Sequence, residues 1–221
     1  MAIQIVKNKS FSLLAGLLLL ISFMPIFESI AHGDVFFVIA VTAILFSGVY
    51  AVSIDKKHLI AGMALAVPVI ITQWADLFLG GKKIIEIETV CLALFLGYTL
   101  LSLLNAVLTA KRVTINEIYS AISAYIMIGL IFGTVYELTE TLRPGSLYFS
   151  HREFQHELSL FVYFSFSVLT TAGFGDITAV SPTALTLVTL QIIIGVTYTA
   201  ALIGRLISAS SIPFHASSDP S

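Results

Sequence analysis

The feature that most constrains this chain is a succession of apolar runs, each long enough to cross a bilayer. The hydrocarbon core takes about 20 residues of helix to span. Six runs of that kind read at 10–30, 34–54, 59–79, 84–109, 115–138 and 182–208. Of the 221 residues, 57% are hydrophobic and only 11% are charged, where a soluble domain has about a quarter charged. The chain therefore reads as an all-α integral membrane protein with six transmembrane helices. A net charge of −2 offers nucleic acid no basic footprint. The lone Cys91 lies within an apolar run and reads as a small core residue, since paired Cys/His metal spacings are absent.

The basic residues set the orientation. Lys7, Lys9, Lys56, Lys57, Lys111, Arg112 and Arg205 fall on one side, and Lys82, Lys83, Arg143 and Arg152 on the other. The positive-inside rule then puts both termini in the cytoplasm of a multi-pass cell-membrane protein. The basic start and "SIA" exit of the first run also fit a cleaved leader, although the run is long for one. The joint "KRVT" separates a four-helix half, 1–110, from a second half, 111–209, with a short polar tail, 210–221, expected to be disordered. Thr114 is the expected N-cap of the fifth helix, with Glu117 completing a capping box.

A shorter apolar segment, "LSLFVYFSFSVLT" at 158–170, has thirteen residues, too few to span, and reads as a re-entrant or buried helix. It runs into "TTAGFGD", residues 170–176. Non-helical backbone at membrane depth is tolerated only where protein or a water-filled cavity surrounds it. Gly173 and Gly175 alternate with Ala172 and Phe174, and glycine takes positive φ freely. That alternation lets successive carbonyls point the same way. Copies arranged about an axis would then stack rings of oxygens able to replace a cation's hydration shell, with the Thr171 hydroxyl closing the inner end.

"TTAGFGD" resembles the selectivity-filter signature of potassium channels, usually T-V-G-Y-G-D. The longer stretch "VYFSFSVLTTAGFGDITAVSP", 162–182, is similar to the pore region of small bacterial potassium channels of the two-helix pore class. "SAYIMIGLIFGTVYELTE", 123–140, resembles their outer pore helix. The resemblance covers 115–209; the first 110 residues carry no diagnostic motif. It implies a homotetramer in contact with membrane lipids, K+ as the permeant ion, and no other cofactor. It implies a filter at Thr171, Ala172, Gly173, Phe174 and Gly175, an outer-mouth acid at Asp176, and a pore helix at 158–170 supporting the filter through Ser167 and Thr170. It also implies a cavity and gate at Gln191, Gly195, Thr199, Ile203 and Ile207, with Gly195 at the family's bending glycine. The chain departs from the pattern at Ala172, usually branched, and at Phe174, usually tyrosine. Ser167 stands where some members carry a glutamate that pairs with the mouth aspartate, and Gln191 is neutral where some carry an acid. These departures leave K+ permeation as the reading and a weakly selective or non-conducting relative as its alternative.

Six spans with a pore between the last two is the plan of voltage-gated channels, whose fourth helix is arginine-rich. Here 84–110 contains no Lys or Arg, only Glu86 and Glu88 at its outer end, so steep voltage gating is not expected. Asp76 lies within a span, beside Trp74 and the "GGKK" that mark a membrane surface. His151 and His156, with Glu153 and Glu157, lie in the loop before the short helix. A lesser reading is an intramembrane aspartyl protease using the G-x-G-D at 173–176, for which Asp76 is the sole candidate partner carboxylate.

Overall fold

The computed structural model describes residues 9–30, 33–52, 56–109, 114–150 and 158–210. Lys7, Lys111, Arg112, Arg152, the loop residues His151, Glu153, His156 and Glu157, and the tail from 211 onward lie outside the described residues.

Each apolar run forms one helix: α1 (Lys9–Ser29), α2 (Gly33–Val52), α3 (Lys56–Leu79), α4 (Lys82–Thr109), α5 (Ile115–Leu142) and α7 (Pro182–Ser210). All six are long and apolar enough to cross a membrane. The short segment forms α6 (Leu158–Leu169). A two-stranded antiparallel sheet, absent from the sequence reading, pairs β1 (Leu147–Phe149) with β2 (Ile177–Ala179), setting Tyr148 opposite Thr178. At the start of α5, Thr114 is extended (φ −103°) and its N–H donates to Glu117 Oε2 at 2.8 Å, closing the expected capping box.

Lipid tails are as apolar as leucine, so helices within a bilayer associate through close packing and interhelical hydrogen bonds. Helix α5 is the hub of that packing: α1, α4, α6 and α7 all lie against it. Its span is 61% buried, against 11% for α7. Small residues make the close approach possible. Ser120, Ala121, Ser123 and Ala124 are buried, and Ser120 donates to Ser10 of α1 at 2.7 Å. One apolar cluster runs through both halves, from Leu13 and Leu17 of α1 through Val69 and Phe95 to Met127 of α5 and Val162 of α6. The first helix is therefore built into the core rather than appended to it. A second cluster, Tyr136, Phe149, Phe161, Phe164 and Ile177 among its members, seats the small sheet on α5 and α6.

Gly129 marks where α5 meets α6 most closely: a Cβ there would sit 2.6 Å from the Phe166 ring. Gly129→Val is expected to lower stability by about 1–3 kcal/mol through overpacking. Gly97, on α4, has nothing within 4 Å of its added Cβ, so Gly97→Ala should leave the unfolding midpoint in detergent unchanged or slightly raised.

Candidate functional site

Helix α6 ends at Leu169 and the chain turns back on it. The Thr170 N–H donates to Phe166 O at 3.0 Å and the Thr171 N–H to Val168 O at 2.9 Å. Past this turn the backbone alternates in hand. Thr171, Gly173 and Gly175 have φ of 59°, 57° and 82°, whereas Ala172 and Phe174 between them do not enter the positive region. Thr171 is the only non-glycine with positive φ among the described residues, a conformation costing roughly 1–3 kcal/mol.

Two further N–H groups of this loop bond to α6. Gly173 N–H reaches Ser167 O at 3.2 Å, and Phe174 N–H reaches Ser167 Oγ at 3.3 Å. Among the described residues, no hydrogen bond reaches the carbonyl oxygens of residues 171–175. All five residues are exposed on the single chain. The N–H groups of Thr171, Gly173 and Phe174 are thus taken by α6, while the carbonyl oxygens of residues 171–175 have no donor among the described residues.

Two contacts of Tyr163, not anticipated from the sequence, hold the far end of the loop. Tyr163 stacks on Phe174 with ring centroids 5.8 Å apart and planes 9° from parallel, and its hydroxyl donates to Asp176 Oδ2 at 2.8 Å. Ile177 N–H donates to Asp176 Oδ1 at 3.0 Å. The Asp176 carbonyl accepts from Ser150 N–H at 2.9 Å and from Ser150 Oγ at 2.8 Å. The spacing carried a signal: Tyr163 is one helical turn before Ser167 on α6, the face that meets the loop. Glu140 also went unread. Its carboxylate accepts from Gly145 N–H at 2.7 Å and Leu147 N–H at 2.9 Å, shaping the turn into β1.

The remaining expected site residues divide. Ser167 touches the loop through both its carbonyl and its hydroxyl. Thr170 does not brace it, because its hydroxyl donates back to Phe166 O at 2.7 Å. Gln191, expected in the cavity, is 0% exposed on the single chain. Its Oε1 accepts from the Tyr136 hydroxyl at 2.7 Å, and its amide N–H groups donate to Ser165 O at 3.0 Å and Ser165 Oγ at 2.7 Å. Ser165 in turn donates to Gly129 O at 2.6 Å. This buried network ties α5, α6 and α7 together behind the loop. Gly195 is also enclosed, since a Cβ there would sit 2.4 Å from Leu169 O at the end of α6. Thr199 and Ile203 are exposed, and Ile207 lies on the same helix near its end.

Asp176 and Asp76 are not brought together. Asp176 is held by Tyr163 and Ile177, while Asp76 has Asp34 and Glu88 as its electrostatic neighbours.

Residues 124–211 match the family described as ion channel. The matched stretch includes most of α5, the sheet, α6, the loop and α7, and supports a channel pore domain there. No curated protein and no solved structure matches the chain.

The Gln191 network yields a stability test. Gln191→Leu strands the Tyr136 hydroxyl, and Tyr136→Phe strands Gln191 Oε1; each should cost about 1–3 kcal/mol. The double variant should cost less than the two summed, because both remove one shared bond. Thermal unfolding in detergent measures all three.

Proposed function

We propose that this chain is one subunit of a homotetrameric channel that passes K+ passively through a filter at Thr171, Ala172, Gly173, Phe174 and Gly175. The observation that carries the reading is the alternation of φ at 171, 173 and 175, together with the N–H groups of Thr171, Gly173 and Phe174 engaged on α6 and carbonyls without donors among the described residues. A strip of this kind can present successive oxygens to a dehydrated cation. One strip encloses nothing, and free carbonyls at membrane depth must face protein or water. Fourfold closure about an axis meets both needs.

In this reading α6 is a re-entrant pore helix whose C-terminal partial charge faces the ion path. The Thr171 hydroxyl caps the inner end of the strip and Asp176 marks the outer mouth. Tyr163 holds that mouth from behind, in place of the carboxylate partner that Ser167 does not supply. Thr199 and Ile203 lie on the exposed side of α7 that would turn toward the axis. Both termini are cytoplasmic, as the basic residues at the opposite end of the bundle favour. The protease reading loses its footing, because its two aspartates occupy separate settings. The weakly selective reading draws on Ala172, whose small side chain is exposed on the single chain.

Purified protein in planar bilayers under opposed K+ and Na+ gradients tests the proposal. A reversal potential close to that of K+ is expected; one near zero would favour the weakly selective alternative, and silence the non-conducting one. With no Lys or Arg between Ile84 and Thr109, conductance in the same membranes should rise only shallowly with voltage. Tyr163→Phe, which keeps the ring but frees Asp176, should lower K+ over Na+ selectivity less than Tyr163→Ala, which loses both contacts.

A further inference from the structure

A cavity of about 440 Å³ lies between the first four helices and α5, and reaches Leu158 and Val162 on α6. Its volume is in the range of small-molecule sites. Most of its wall is apolar, with Leu17, Val41, Leu45, Phe95 and Leu130 contributing. One end is polar. Asp34 from the first turn of α2, Gln73 and Asp76 from the end of α3, Glu88 from the start of α4 and Glu137 from the end of α5 all face it. No lysine, arginine or histidine is among the described lining residues.

The polar end offers acceptors and almost no donors. Gln73 is 2% exposed, and its amide is hydrogen-bonded to Glu88. Its Oε1 is buried without a partner among the described residues, and Gln73 lines the cavity. The lining hydroxyls spend their protons on their own helices, Thr89 on Ile85 O at 2.8 Å and Thr134 on Ile131 O at 2.8 Å. Asp76 lies within electrostatic reach of both Asp34 and Glu88. A metal ion does not fit this set: among the described residues no three Asp, Glu, His or Cys side chains gather closely enough to hold one. What complements it is a ligand that donates several hydrogen bonds, carries positive charge and has an apolar body. A protonated amine has three donors and no acceptor.

We propose that this cavity binds an ammonium group carried on an apolar chain, with the ammonium among Asp76, Glu88 and Gln73 Oε1 and the chain along Leu45 and Phe95. The same chemistry comes from a free alkylamine or from the ethanolamine headgroup of a lipid. An occupant would touch Leu158 and Val162 on the helix that carries the 171–175 loop. Binding itself does not depend on how ions cross the protein.

The test uses the full chain in phosphatidylcholine nanodiscs, titrated with octylammonium or octanol while thermal unfolding is followed. Octylammonium should raise the unfolding midpoint and octanol should not. In Asp76→Asn/Glu88→Gln the apparent affinity for octylammonium should fall roughly tenfold or more, read against that variant's own ligand-free midpoint. Val41→Phe, which narrows the apolar wall and keeps every charge, should also weaken the response. In place of added amine, phosphatidylethanolamine nanodiscs should raise the wild-type midpoint but not the double variant's if the source is lipid. Equal responses to octanol and octylammonium, an octylammonium response unchanged in both variants, or no response to amine or ethanolamine lipid would each overturn the proposal.

Discussion

A peptide carbonyl without a hydrogen-bond donor cannot face lipid. In this chain the oxygens of residues 171–175 have no donor among the described residues, while the N–H groups of Thr171, Gly173 and Phe174 are taken by α6. Much of the second half serves to hold that strip. The Ser167 carbonyl and hydroxyl bind it from behind, Tyr163 and Ser150 hold Asp176 at one end, and the tight last turn of α6 sets Thr171 at the other. Helix α6 is itself fixed by close contact at Gly129 and Gly195 and by the Tyr136–Gln191–Ser165 network. Backbone strain at Thr171 is held in place by packing well away from it.

The helices were legible because run length alone decides which segments can cross a bilayer. The six expected runs and the observed helices differ at their ends by a few residues, the largest difference being at the end of α5, where the helix continues to Leu142. The capping box at Thr114 was legible from spacing alone, and the alternation at Gly173 and Gly175 from residue type. Positive φ at Thr171 was not, because nothing in a threonine signals the left-handed region. The small sheet escaped notice for a related reason: strands of three residues carry no periodic pattern.

The expected cavity residues Gln191, Gly195, Thr199 and Ile203 are spaced by four, and each such step overshoots a full turn by about 40°. Over the series the face rotates from the buried network at Gln191 and Gly195 to the exposed side at Thr199 and Ile203. Tyr163 was passed over because an aromatic residue in a short apolar helix looks like packing. Only the fold shows its hydroxyl meeting Asp176. The first four helices, without a motif or a sensing arginine, gain definition from shared packing: Leu17, Phe95 and Val162 belong to one cluster that reaches α6.

If the oxygens of residues 171–175 face permeant ions on an axis shared by four chains, anomalous diffraction from crystals of the full chain grown with thallium in place of potassium should show a file of thallium peaks on a fourfold axis, beside those carbonyl oxygens. Thallium absent from that axis, or an assembly with no such axis past the loop, would contradict that reading.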